Sequence, residues 1–204
     1  MTHATNQPPR VTIVVVPRER FGATQRNLES LYAHTQIPFE LVYIDGGSPQ
    51  PVQRYLEAQS QARGFRLLRV DHFLSPNQAR NLGWQAVNTE YLVFVDNDVV
   101  VTPGWLTQLV NCAEETDAAI VGPLTCIGKP IHGIVHNPGG NTFFKEEQVG
   151  DQLVRRFHHK SHFNNKPLDK VREHLQRTEC DYVEFHCMLV RTRTFEQTGP
   201  LDEG

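Results

Sequence analysis

Val11 to Val16 reads Val-Thr-Ile-Val-Val-Val, an unbroken run of β-branched residues with no polar alternation. Such a run suits a central strand of a parallel sheet covered on both faces, and Pro17, which cannot extend a hydrogen-bonded ladder, closes it. A chain built on a strand of this kind must bring helices to both sides of the sheet. Leu28, Leu31 and Tyr32 recur at helical spacing directly after it. Leu41 to Ile44 is a second short apolar run, stopped by Asp45, Gly46, Gly47 and Ser48. Val52, Tyr55 and Leu56 repeat at helical spacing up to Gly64, a C-cap residue, and Phe65 to Val70 supplies a third strand.

The pattern continues. Pro76 to Val87 predicts a helix with Ala79, Leu82, Ala86 and Val87 inward and Asn77, Arg80, Asn81 and Trp84 nearer the other side. Tyr91 to Val95 is an apolar strand running straight into Asp96, Asn97 and Asp98. Thr102 and Pro103 have the chemistry of an N-cap and first helical position, opening a helix with Leu106, Leu109 and Val110 inward, and Ala118 to Val121 adds a short strand. From Thr125 to about Thr178, Gly, Pro, Asn and His are frequent and only Leu168, Val171 and Leu175 suggest a helix, so long loops are expected. Val183 to Val190 predicts a final strand, with Glu184, His186 and Met188 on one face and Val183, Phe185, Cys187 and Leu189 on the other.

Strands alternating with helices imply an α/β fold, a three-layer sandwich around a mainly parallel, Rossmann-like sheet. Residues 11–204 are expected to form this domain behind a flexible polar tail, residues 1–10. Ligands of such sheets bind in the crevice beyond the carboxyl ends of the strands, which singles out Pro17 to Arg20, Asp45 to Ser48 and Asp96 to Asp98.

Composition narrows the partners. A net charge of -3 over 204 residues, with Lys and Arg scattered, lacks the concentrated basic face of a nucleic-acid binder. No apolar run approaches the ~18 residues a membrane span needs, and Met1 to Arg10 lacks the order of a secretory signal, so a cytoplasmic protein without a transmembrane segment is expected. Cys112, Cys126, Cys180 and Cys187 show no metal-type spacing and read as reduced, mostly buried thiols.

Asp96 and Asp98 are two residues apart, so in extended geometry both carboxylates point to one side at the mouth of the sheet. Hard anionic oxygens placed there suit Mn2+ or Mg2+, ions held by one or two carboxylates together with substrate phosphates. The plainer alternative is a pair of turn-forming acids. Asp45, followed by two glycines that permit close backbone approach, can accept hydrogen bonds from a nucleobase or ribose, or serve only its turn. Arg80 can pair with a phosphate or with one of these acids. Elsewhere, His132 and His136 have helical metal-pair spacing amid helix-breaking glycines. His158, His159 and His162 with Arg155, Arg156 and Lys160 suit an anionic acceptor or a solvated loop, and Glu184 with His186 forms a site candidate or ordinary strand polarity.

The chain resembles the GT-A glycosyltransferases, and within them family 2. The similarity runs from Val11 to the last residue through VTIVVVP, NLESLYAHTQIPFELVYIDGGS, NQARNLGWQAVNTEYLVFVDNDVVVTPGW and VEFHCMLVRTRTFEQTGPLDEG. The resemblance implies a UDP- or GDP-linked sugar donor, with Pro17, Arg18, Glu19 and Asp45 around the base, Arg80, Asp96 and Asn97 at the nucleotide, and Asp96 with Asp98 on Mn2+ or Mg2+. It implies inverting transfer to an acceptor hydroxyl of a glycan, lipid or small molecule, in which the metal offsets charge on the departing diphosphate and a separate carboxylate deprotonates the acceptor. Arg18, Glu19 and Arg20 stand where the family has a Thr-Tyr-Asn-like stretch, and Gly46 stands where an acid is frequent. The family's catalytic acid lies several residues beyond the LDEG-like segment, so the base is expected beyond Gly204.

Alternatives are a nucleotide-sugar-binding module without catalysis and a sugar-phosphate nucleotidyltransferase, though the latter wants a glycine-rich phosphate loop that PRERFG does not supply. No GxGxxG follows the first strand, which argues against a nicotinamide oxidoreductase.

Overall fold

The computed structural model describes residues 8–18, 20–128 and 133–204. In chain order these form β1 (Val11–Val16), α1 (Thr24–His34), β2 (Glu40–Gly46), α2 (Gln50–Arg63), β3 (Arg66–Val70), α3 (Pro76–Trp84), β4 (Tyr91–Asp96), α4 (Trp105–Thr116) and β5 (Ile120–Val121). There follow β6 (Thr125–Ile127), β7 (Ile134–Asn137), β8 (Gly140–Val149), β9 (Gln152–Ser161), α5 (Leu168–Val171), β10 (Cys187–Arg191) and α6 (Thr192–Thr198). They fall into two compact units, one running to Val121 and resuming at Phe185–Gly204, the other Gly122–Glu184. No helix among the described residues is long and apolar enough to cross a membrane.

The first unit is an α/β sandwich on a sheet of order β3-β2-β1-β4-β10-β5. β3, β2, β1 and β4 run parallel, while β10 pairs antiparallel with both β4 and β5. Strand periodicity sorts the core into two layers. Val11, Ile13 and Val15 of β1, with Tyr91, Val93 and Val95 of β4, pack beneath Leu28 and Leu31 of α1, Leu56 of α2, and Leu106, Leu109 and Val110 of α4. On the opposite face Val14 meets α3 at Gly83, where an added Cβ would lie 2.3 Å from Val14 Cγ1. Phe94 there meets Phe195 of α6 edge-on, with ring centroids 5.8 Å apart. The β-branched run is thus covered on both sides, as its composition requires.

Several boundaries differ from the expectation. α4 begins at Trp105 rather than at Thr102–Pro103, because Gly104 takes a left-handed φ of 79° and the Trp105 N–H bonds the Thr102 carbonyl in a turn. The last strand starts at Cys187 rather than Val183, where pairing with Val95 begins. Arg80 and Asn81 of α3 are buried, not outward, and Leu82 is only half-buried. Gly64 does cap α2 with a left-handed φ of 75°.

The second unit corrects the expectation of long loops between Thr125 and Thr178. It holds a short β6–β7 pair and a hairpin in which β8 and β9 pair without slippage from Gly140↔Ser161 to Val149↔Gln152. Most of the hairpin is exposed on both faces, so neither strand carries the hydrophobic alternation that marks a half-buried sheet. Its register rests on backbone bonds and cross-strand pairs such as Phe144 with Phe157 and Glu146 with Arg155. Arg155, Arg156, His158, His159 and Lys160 lie on β9, not in a loop. His136 lies on β7, 3.5 Å from Glu184, and His132 lies outside the described residues.

Candidate functional site

In the first unit the chain passes from β1 to β2 on one side and later sets β4 on the other side of β1, so strand order reverses at β1. The crevice at the carboxyl end of such a switch point is the general ligand position of the architecture. Pro17 and Arg18, Asp45 to Ser48, and Asp96 to Asp98 all follow strands that end there. Glu19 lies outside the described residues.

Asn97 joins two of these segments. Its N–H extends the ladder to the Val16 carbonyl (2.9 Å), its Oδ1 accepts the Arg18 N–H (2.9 Å), and its amide nitrogen reaches Thr24 Oγ1 (3.4 Å). The side chain is buried, which makes it a brace for the loop after β1.

Extended geometry stops at Asp96. The Asp96 carbonyl accepts the Val99 N–H at 3.0 Å, closing a turn, so Asp96 and Asp98 do not share one side by strand alternation. Asp96 turns inward with its side chain 3% exposed; Asp98 remains 24% exposed. The turn is held from α1, where Asn27 Nδ2 donates to the Asp96 and Val99 carbonyls (3.2 and 2.8 Å) and Ser30 Oγ accepts the Val101 N–H (3.2 Å). Neither residue was singled out by sequence. The available signal was Thr24, Asn27 and Ser30 at three-residue spacing beside Leu28 and Leu31, a polar stripe inside a buried helix face.

Asp96 is the electrostatic hub. Its Oδ2 lies 3.0 Å from His186 Nδ1 and 4.0 Å from Arg18 Nε, and its Oδ1 lies 3.5 Å from Arg80 Nη2. That Oδ1 is buried without a hydrogen-bond partner. Arg80 is itself buried, donates to Asn77 Oδ1 (3.0 Å), and sits 4.2 Å from the centroid of the Phe185 ring. Burial pushes its guanidinium below the ordinary arginine value, with the Asp96 charge opposing that shift and Arg18 adding to it. His186 therefore belongs to the site, drawn in by the end of β10.

The charged neighbour of Asp98 is Arg20, 3.7 Å away and largely exposed. Asp45 is tied down instead: Oδ1 accepts the Ser48 N–H (3.0 Å), and Oδ2 accepts the Ser48 hydroxyl (2.9 Å) and Arg69 Nη1. Gly47 keeps this turn close to β3, at a left-handed φ of 71°, where a Cβ would come 3.1 Å from the His72 backbone. Burial raises the Cys187 thiol to about 12, with the Asp96 charge adding to that shift.

The donor set fits a hard divalent cation. Asp98 offers carboxylate oxygens at the mouth, and Asp96, two residues before it, has an Oδ1 with unused acceptor capacity, 3.5 Å from Arg80 Nη2.

The family model described as glycosyl transferase family 2 matches residues 12–199. The chain belongs to that family. Within it, the O-antigen biosynthesis protein RfbC of Myxococcus xanthus is 30% identical over 201 residues, 96% of this chain and 15% of that protein. The succinoglycan biosynthesis protein ExoW of Rhizobium meliloti is 25% identical over 193 residues, 90% of this chain and 56% of that protein. The chain thus spans from 15% to 56% of the length of these family 2 relatives. Among solved structures, S. aureus TarS 1-349 aligns with a TM-score of 0.62 at 14% identity, covering 95% of this chain and 50% of that one. The mannosyltransferase PcManGT from Pyrobaculum calidifontis, in complex with GDP-Man and Mn2+, aligns with a TM-score of 0.61 at 12% identity, covering 97% and 49%. This likeness shows a GT-A fold.

Proposed function

We propose that the chain carries the donor site of an inverting glycosyltransferase, moving a sugar from a UDP- or GDP-linked donor to an acceptor hydroxyl with Mn2+ or Mg2+ held at Asp98 and Asp96. The observation that carries this reading is the partly exposed Asp98 carboxylate at the switch point of the sheet, two residues from the buried Asp96, whose Oδ1 has no hydrogen-bond partner. Family membership supports it, as does the fold shared with proteins solved in complex with UDP-GlcNAc or with GDP-Man and Mn2+. A cytoplasmic setting fits the free thiols Cys112, Cys126, Cys180 and Cys187.

The chain's own residues divide the work. Asp98 would hold the cation, which when bound would offset negative charge on the leaving diphosphate. Arg18, at the rim, is placed to meet a phosphate oxygen. Arg80 and His186 hold the Asp96 carboxylate in one orientation and act through it. Asn97 and Asn27 fix the two loops that carry Arg18 and Asp98. Asp45, which already accepts from Ser48 and Arg69, would meet a nucleobase with its remaining acceptor capacity. Transfer also needs a general base for the acceptor. Neither Asp96, engaged by Arg80, Arg18 and His186, nor Asp45, engaged by Ser48 and Arg69, is suited to that role.

Calorimetric titration tests the reading. UDP or GDP is expected to bind in the presence of Mn2+ and to lose at least about tenfold in affinity when the metal is chelated. Equal affinity with and without metal would contradict it.

A further inference from the structure

The second unit contains a cavity of about 280 Å3, just below the roughly 300–1,000 Å3 usual for small-molecule sites. We infer that this cavity is a binding subsite for one neutral sugar residue. The inference rests on the glycosyltransferase reading for its biological sense, since it would hold part of an acceptor glycan. Its evidence is separate.

The walls combine an aromatic platform with amide, imidazole and carboxylate groups. Phe163 and His174 stack with ring planes 13° apart and centroids 6.3 Å apart. Asn141, His162, Gln176 and Glu179 are among the polar lining residues, with His162 Nε2 2.7 Å from Asn141 Oδ1. A pyranose has apolar C–H faces that pack on flat rings and hydroxyls that pair with just such donors and acceptors. Among the described residues no lysine or arginine lines the cavity, so its chemistry does not match a phosphate or nucleotide.

Gly139 and Gly140, which also line the cavity, pack tightly against the rest of the second unit. A Cβ on Gly139 would come 2.9 Å from Cys180 Sγ, and one on Gly140 would come 2.4 Å from the Lys160 carbonyl. The platform is also held at a conformational cost. Phe163 has a φ of 59°, a left-handed conformation that a bulky residue adopts only when its surroundings impose it. The surrounding loop does so through Lys166 N–H to the Phe163 carbonyl (3.1 Å), Asn165 N–H to the Val135 carbonyl (2.9 Å) and Val135 N–H to the Lys166 carbonyl (2.9 Å). A glycine would occupy the same backbone without strain. Phe163 thus stands at a position that local backbone preference opposes, and it lines the cavity.

Saturation-transfer NMR with the methyl glycosides of glucose, galactose and mannose tests this on the whole chain. Transfer to the ring protons of at least one glycoside is expected. Phe163→Gly should weaken it roughly tenfold, the loss of one ring stack, without lowering the melting temperature, because glycine relieves the backbone. His174→Ala and Gln176→Ala, at exposed positions, should weaken it in folded protein and so do not depend on how Phe163→Gly folds. No transfer from any of the three glycosides, or transfer unchanged in all three variants, overturns the subsite. UDP with Mn2+ titrated into the same samples separates the two readings. Nucleotide binding without glycoside binding removes the subsite and spares the transferase reading, whereas glycoside binding without nucleotide binding keeps the subsite and removes the donor site.

Discussion

Asp98→Ala is expected to weaken metal-dependent binding of UDP or GDP at least about 100-fold while leaving the melting temperature where it was. Both halves follow from the position of the side chain. Asp98 lies beyond the end of β4, within the turn closed by Asp96 and Val99, and remains partly exposed beside a largely exposed arginine, Arg20. An ion pair of this kind adds little to stability, on the order of 0–1 kcal/mol. Its oxygens are instead accessible hard donors at the switch point, and a cation held there would lose much of its hold when the carboxylate goes. Calorimetry and a thermal melt on the same preparation check the two together. A variant that binds nucleotide as wild type does would remove Asp98 from the metal site.

Arg80→Ala is expected to do the reverse, lowering stability by about 3 kcal/mol, which for a chain of this size is a fall of roughly 6–12 °C in melting temperature. The guanidinium is buried between Asp96, Asn77 and the Phe185 ring. Truncation leaves the Asp96 carboxylate, 3% exposed, without one of its nearest cations and opens a void over the ring. His186 and Arg18 keep the loss toward the low end of what a broken buried pair costs. Arg80→Lys preserves the charge but loses the planar stack on Phe185, so it should fall between wild type and alanine. Chemical denaturation at neutral pH measures all three. Equal midpoints for wild type and Arg80→Ala would show that Arg80 does not hold Asp96 in place.

The contrast between these two residues shows where sequence reading reaches. Strand ends could be located because Val11–Val16, Leu41–Ile44 and Tyr91–Val95 are apolar runs that stop abruptly, and the acids that stop them mark the crevice. Whether Asp96 and Asp98 share a side could not be located that way, because alternation holds only while the backbone stays extended, and the Asp96–Val99 turn ends it. Arg80 resembled a surface residue on an amphipathic helix, since nothing in its own neighbourhood announces a buried carboxylate contributed by β4. Asn27 and Ser30 were hidden for the same reason: their partners lie about seventy positions away, on the turn they brace. The β8–β9 hairpin escaped notice because a ribbon exposed on both faces needs no hydrophobic period, only backbone bonds and a few opposed side chains.

The central claim is that a divalent cation joins Asp98 to a nucleoside diphosphate. Anomalous diffraction at the manganese edge, from crystals grown with UDP or GDP and Mn2+, locates that ion directly. The account predicts an anomalous peak within about 2.0–2.2 Å of an Asp98 carboxylate oxygen and adjoining the diphosphate. A bound diphosphate whose manganese lies elsewhere, or with no manganese at all, would contradict it.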